Sequence, residues 1–126
     1  MPHARCLIFL PLALALALVL VLVLGATHAR AHASLDHASP AVGSAVRTAP
    51  REVVLWFTEN LEPAFSRVTV QNAAGARVDR GNARASGNQL RVSLGALAPG
   101  TYHVVWRVVS VDTHATQGDF TFRVGE

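Results

Sequence analysis

The stretch TYHVVWRVVS, Thr101–Ser110, alternates for its whole length. Tyr102, Val104, Trp106 and Val108 fall on one side, and His103, Val105 and Arg107 on the other. A period of two, carried by β-branched and aromatic side chains, suits an extended strand and cannot keep one face of a helix apolar. The same reading extends along the chain. EVVLWFTE (52–59) sets Val53, Leu55 and Phe57 against Val54, Trp56 and Thr58. SRVTVQN (66–72) points Val68 and Val70 one way, QLRVSL (89–94) points Leu90, Val92 and Leu94 inward, and DFTFRVGE (119–126) does so with Phe120, Phe122 and Val124. ASLDHASPAVGSAV (33–46) offers a short strand and a Pro/Gly turn, and NAAGARV (72–78) a turn followed by a short strand. NLEPAFS (60–66) has room for one helical turn at Pro63, and APG (98–100) is turn chemistry. No segment carries a convincing amphipathic helix. The expectation is an all-β domain, a Greek-key β-sandwich or barrel of about seven strands.

Ahead of these strands lies an apolar run, LIFLPLALALALVLVLVLG (7–25), behind a short start that holds Arg5 and no acid. The polar stretch THARA (27–31) ends in the small-x-small triplet Ala29-Arg30-Ala31. Basic start, apolar segment and triplet are the parts of a secretory signal. Residues 1–31 are therefore expected to be a signal peptide and 32–126 a single small domain, exported to the periplasm or secreted. The run approaches the roughly 20 residues that span a bilayer, so an uncleaved anchor is the alternative. The chain holds 11 Lys+Arg against 8 Asp+Glu, and every one of the cations is arginine. They are scattered, with Arg77, Arg80 and Arg84 the nearest approach to a patch, so a nucleic-acid partner is not expected. The only cysteine is Cys6 and the only methionine is Met1. The domain is thus expected to have no disulfide and neither thiolate nor thioether ligands, which excludes an ordinary blue-copper site.

Cleavage after Ala31 would make His32 the first residue. An N-terminal histidine offers its α-amine and its own Nδ1, which close a six-membered chelate ring around a metal. Both carry protons in competition with the metal, with ordinary pKa values of about 7.7–8.0 and about 6.5, so affinity falls as pH drops. Near the other end, VVSVDTHATQGDFTF (108–122) carries Asp112 and His114 two apart, which in an extended strand would share a face. Alone that pair is a weak signal. With His32 it completes a set of three nitrogens and one oxygen, which suits tetragonal Cu(II), with Zn(II) as second choice. Gly118 is expected to turn the chain into the last strand.

These segments together resemble the CopC family of periplasmic copper-binding proteins. The resemblance runs from the histidine behind the cleavage site through the S-x-P-x-x-G turn (Ser39, Pro40, Gly43), WFTEN, GTYHVVWR and SVDTH to Gly118. It implies an immunoglobulin-like or cupredoxin-like β-barrel that binds copper and passes it on without catalysis. By position, His32, Asp112 and His114 match the family's Cu(II) ligands, and Glu59 matches a glutamate near the metal in some members. It further implies a CopD-like inner-membrane copper transporter as partner, separate from this chain, and a monomeric carrier or buffer in copper resistance, homeostasis or uptake. Many members have glycine where this chain has Thr113, a change expected to matter little because threonine favours an extended backbone. Some carry a methionine-rich loop for Cu(I). Without methionine this domain is expected to hold Cu(II) only.

Two other functions fit parts of the pattern. A histidine-brace copper oxidase also uses an N-terminal histidine, but Asp112 would fill a position such an enzyme keeps open. An immunoglobulin-like structural module would bind no metal specifically. His37 is the auxiliary ligand candidate, although its odd spacing from His32 turns it to the opposite face of a strand. His103 is read as a surface or inter-sheet residue.

Overall fold

The computed structural model describes residues 33–125, together with Ala15. The expected signal segment, its cleavage point and His32 lie outside the described residues. Two four-stranded sheets face each other. The strands are β1 (Leu35–Ser39), β2 (Ala45–Val46), β3 (Glu52–Phe57), β4 (Arg67–Asn72), β5 (Arg84–Ser86), β6 (Gln89–Ser93), β7 (Gly100–Val109) and β8 (Ala115–Val124). One sheet runs β1-β3-β6-β5 and the other β2-β8-β7-β4. All pairings are antiparallel except that of β2 with β8. Between β3 and β4, Pro63–Phe65 forms the expected single turn of 3₁₀ helix.

The alternating pattern is satisfied by the space between the sheets. Val53, Leu55, Phe57, Leu90 and Val92 from one sheet meet Val68, Val70, Tyr102, Val104, Trp106, Val108, Phe120, Phe122 and Val124 from the other. Phe57 and Phe122 are almost wholly removed from solvent, each contributing about 1.5–3 kcal/mol relative to exposure. The Phe57 ring meets Trp106 edge-on at 5.1 Å between centroids. Tyr102 stacks on Phe122 and turns its hydroxyl out of the core to donate to the Ala98 carbonyl at 2.5 Å. That bond satisfies the one polar atom the ring would otherwise bury.

Gly118 departs from its expected role. It lies inside β8 rather than at a turn, directly opposite Trp106 on β7. The indole lies across it, so a Cβ at this position would come within 2.8 Å of Trp106 Cε2 and closer still to Cζ2. Glycine is needed here for the space it leaves.

The turn-and-strand expected over 72–78 is mostly turn. Asn72 Oδ1 accepts from the amides of Ala74 and Ala76, each at 3.0 Å, and beyond it Arg77 and Asp79 make only isolated bridges. Asp79, unremarkable in the sequence, ties this segment down. Its carboxylate accepts from the Val70 amide at 2.9 Å, the Gly81 amide at 2.9 Å, and both Nε and Nη2 of Arg77 at 3.1 and 2.6 Å. Burial opposes its charge, but the Arg77 guanidinium and the two amides outweigh that and hold its carboxyl below the usual range.

Two stability measurements check this account. Gly118→Ala should cost about 1–3 kcal/mol, the usual range for overpacking, read as a lower urea midpoint. Because the folded state holds Asp79 below its unfolded pKa of about 3.9, its contribution is complete above that value and disappears as pH falls through the folded value. Urea midpoints should therefore drop below about pH 4, and Asp79→Asn should flatten part of that drop.

Candidate metal centre

The two longest strands, β7 and β8, pair along their whole length, ending at Val109 opposite Ala115. Ser110 to His114 close the hairpin. The Ser110 amide donates to the His114 carbonyl at 3.0 Å, and the Thr113 amide to the Ser110 carbonyl at 2.8 Å. Thr113 has φ of 71°. This is the pattern of a three-residue hairpin loop, Val111-Asp112-Thr113, whose last member takes the left-handed conformation.

Two expectations are corrected here. Asp112 and His114 do not sit on an extended strand; they meet because the loop folds between them. Thr113 is not extended but occupies a position for which glycine is the natural choice, since a β-branched side chain at positive φ is strained. The Thr113 hydroxyl donates to the Asp112 carbonyl at 2.6 Å within this loop.

The loop brings Asp112 Oδ2 to 3.3 Å from His114 Nδ1. Two atoms each about 2.0–2.1 Å from one metal ion, at angles between square and tetrahedral, lie about 2.8–3.4 Å apart, so the pair is spaced as two ligands of one ion. Both side chains are open to solvent, 40% exposed for Asp112 and 56% for His114. The Ser110 hydroxyl, more than any other group, holds the Asp112 carboxyl below the usual carboxylate range; slight burial opposes this and His114 reinforces it. Asp112 is therefore an anion at neutral pH.

Glu59 reaches the same end of the sandwich by a different route. The chain leaving β3 runs beside the loop: Leu61 bridges Ser110, the Val111 amide donates to the Asn60 carbonyl at 3.0 Å, and the Glu62 amide to the Val109 carbonyl at 2.7 Å. Glu59 is half-buried there. Among the described residues, however, no third histidine, cysteine or carboxylate joins Asp112 and His114 in a cluster, so Glu59 is a neighbour by segment and not a member of the pair.

The start of the domain is pinned to this end by two threonines that the sequence did not single out. Thr116 Oγ1, two residues past His114, donates to the carbonyl of fully buried Ala33 at 2.7 Å. Thr58, one residue before Glu59, receives the Ser34 amide on its hydroxyl at 3.0 Å and donates its own amide to the Ser34 carbonyl at 2.9 Å. Ala33, the residue joined to His32, is thus held between the segments that carry Glu59 and His114. A His-x-Thr or Thr-Glu pairing carries no signal in sequence, because either hydroxyl could as well face water.

The remaining described histidines are engaged elsewhere. His37 stacks on Trp56, its partner across β1 and β3, at 4.3 Å and 8°, with Nδ1 2.7 Å from Asp36. His103 Nε2 lies 2.6 Å from Asp119 Oδ2, on strands β7 and β8.

The CopC domain family matches residues 35–125. The chain belongs to the CopC family. It is 40% identical over 98 residues to protein YobA of Escherichia coli K12, covering 75% of this chain and 79% of that protein. The crystal structure of CopC from Methylosinus trichosporium OB3b superposes with a TM-score of 0.69 at 33% identity, covering 74% of this chain and 93% of that one. PcoC from Escherichia coli, described as a methionine-rich copper resistance protein, gives 0.64 at 34% identity over 75% of this chain and 99% of its own. This CopC-family chain keeps the fold of PcoC but not its methionine content, with Met1 as its single methionine.

Thr113 supplies a test of the loop geometry. Left-handed backbone at a non-glycine residue costs about 1–3 kcal/mol, while glycine's greater freedom in the unfolded chain costs about 0.5–1 kcal/mol. Thr113→Gly should therefore raise stability by up to about 2 kcal/mol in chemical denaturation. A loss of stability would show that the loop is not held as described.

Proposed function

We propose that this protein is exported, loses residues 1–31, and binds one Cu(II) ion as a periplasmic or secreted carrier or buffer. In this reading the ligands are the α-amine and imidazole Nδ1 of His32, Oδ2 of Asp112 and the imidazole of His114. Asp112 and His114 standing 3.3 Å apart is the observation that carries it. The fixing of Ala33 beside Thr116 supports it further, because the residue covalently ahead of Ala33 is the one whose freed amine the site requires. The donor set is chemically suited to the ion: nitrogen-rich, with a single anionic oxygen and no sulfur, it favours Cu(II) over Cu(I). Reduction of the bound ion should therefore release it.

Glu59 is a further carboxylate that this end could turn toward the ion. His37, stacked on Trp56, is no part of the proposed set. The membership of PcoC and CopC among its relatives favours copper as the cargo. Handing the ion on calls for an acceptor, and a CopD-like copper transporter in the inner membrane fits that role. The function is binding and transfer by a monomer, without turnover, so incubation with copper, a reductant and peroxide should yield no sustained product.

The decisive measurement combines N-terminal sequencing of the exported protein with Cu(II) titration against a competing chelator. The chain should begin at His32. His32→Ala, Asp112→Ala and His114→Ala should each weaken Cu(II) by at least about tenfold, His103→Ala should leave it unchanged, and affinity should fall on acidification as the nitrogen ligands take up protons. A retained leader on the copper-loaded protein, or an equal loss in His103→Ala, would defeat the proposal.

A further inference from the structure

Ser110 stands out among the residues that are not candidates to touch a metal. It is fully buried, one of two buried polar residues in the described domain, yet it lies directly under an exposed loop. Each of its polar groups is committed to the three residues that follow Val111. Its carbonyl accepts from the Thr113 amide at 2.8 Å and its amide donates to the His114 carbonyl at 3.0 Å. Its hydroxyl hydrogen-bonds Asp112 Oδ1 and lies 3.2 Å from the His114 carbonyl.

A serine hydroxyl has one proton to donate. The His114 carbonyl already receives the Ser110 amide, whereas Asp112 is anionic, and a hydrogen bond to an ionised acceptor is roughly twice as strong as a neutral one. The proton therefore goes to Asp112 Oδ1. The carboxylate is then asymmetric: Oδ1 is tied to a buried, immobile donor, and only Oδ2 faces His114.

We propose that Ser110 is a positioning residue that restricts Asp112 to a single ligating oxygen and sets that oxygen beside the His114 ring. This inference rests on the Cu(II) reading above. A carboxylate held in this way completes a compact tetragonal set for Cu(II). One free to swing could offer both oxygens, the mode that large oxygen-seeking cations such as Ca²⁺ exploit. Ser110 would thus contribute to selectivity as well as affinity without touching the ion.

The test is a double-mutant cycle on the exported protein, titrated with Cu(II) against a chelator and examined by electron paramagnetic resonance of the loaded form. Ser110→Ala should weaken Cu(II) by about 10–100-fold, the usual cost of losing a group that orients a ligand, and should alter the copper hyperfine splitting. In an Asp112→Ala background the same substitution should have no further effect on either readout. If Ser110→Ala leaves affinity and spectrum unchanged while Asp112→Ala weakens binding, the positioning role is wrong and the Cu(II) reading stands. A loss of equal size in the Asp112→Ala background would show that Ser110 acts only through the fold, which also overturns the role. If Asp112→Ala itself changes nothing, the Cu(II) reading falls and this inference with it.

Discussion

The pairing of β7 with β8 is the constraint on which the rest of the structure depends. One register sets Trp106 against Gly118 in the core and, at the same time, Val109 against Ala115 at the strand ends. The indole fits only where a residue without Cβ lies opposite. A slip of one residue would turn every inward side chain of β8 to solvent. That register also leaves Ser110 to His114 to close the hairpin, so core packing determines which residues form the exposed loop. The candidate metal pair is in this sense a by-product of how an indole is accommodated.

Around that hairpin the domain uses small polar side chains to fix backbone that strands alone would leave loose. Thr116 and Thr58 secure the segment ahead of β1, Ser110 secures the loop, and Asp79 secures the chain crossing beyond β4. Thr58 and Ser110 each follow directly on the last residue of a strand, where the ladder can no longer satisfy the backbone groups. Such bonds add only about 0.5–1.5 kcal/mol apiece. Their larger effect is positional, since they bring the beginning of the domain, the end of β3 and the β7–β8 loop to one end of the sandwich. The copper site proposed above would draw on the first and last of these segments, which are far apart in the chain.

Much of this was legible from residue pattern. The inward sets on β3, β4, β6, β7 and β8 follow from period two, and the turn at Pro63 from proline's fixed φ. The loop was not. The i, i+2 rule that pairs Asp112 with His114 holds for strands, and the β propensity of Thr113 points to an extended backbone. Both rest on local preference, and here the register of the hairpin overrode it. Gly118 was misplaced for a related reason. A glycine in sequence signals conformational freedom or an absent side chain equally well, and only the indole opposite shows which one is in use.

Sequence by itself determined the all-β class, the inward faces of the long strands, the lack of Cys and Met over residues 32–126, and the candidate donors His32, Asp112 and His114. Those depend on composition and on alternation along a single strand, which are local quantities. Tertiary structure alone decided that Asp112 and His114 meet through a tight loop, that Ser110 fixes one carboxylate oxygen, and that Ala33 is anchored next to the same loop. Each of these depends on which strands pair and in what register. Register is set by packing between residues distant in the chain, such as Trp106 and Phe57, and no short stretch of sequence contains it.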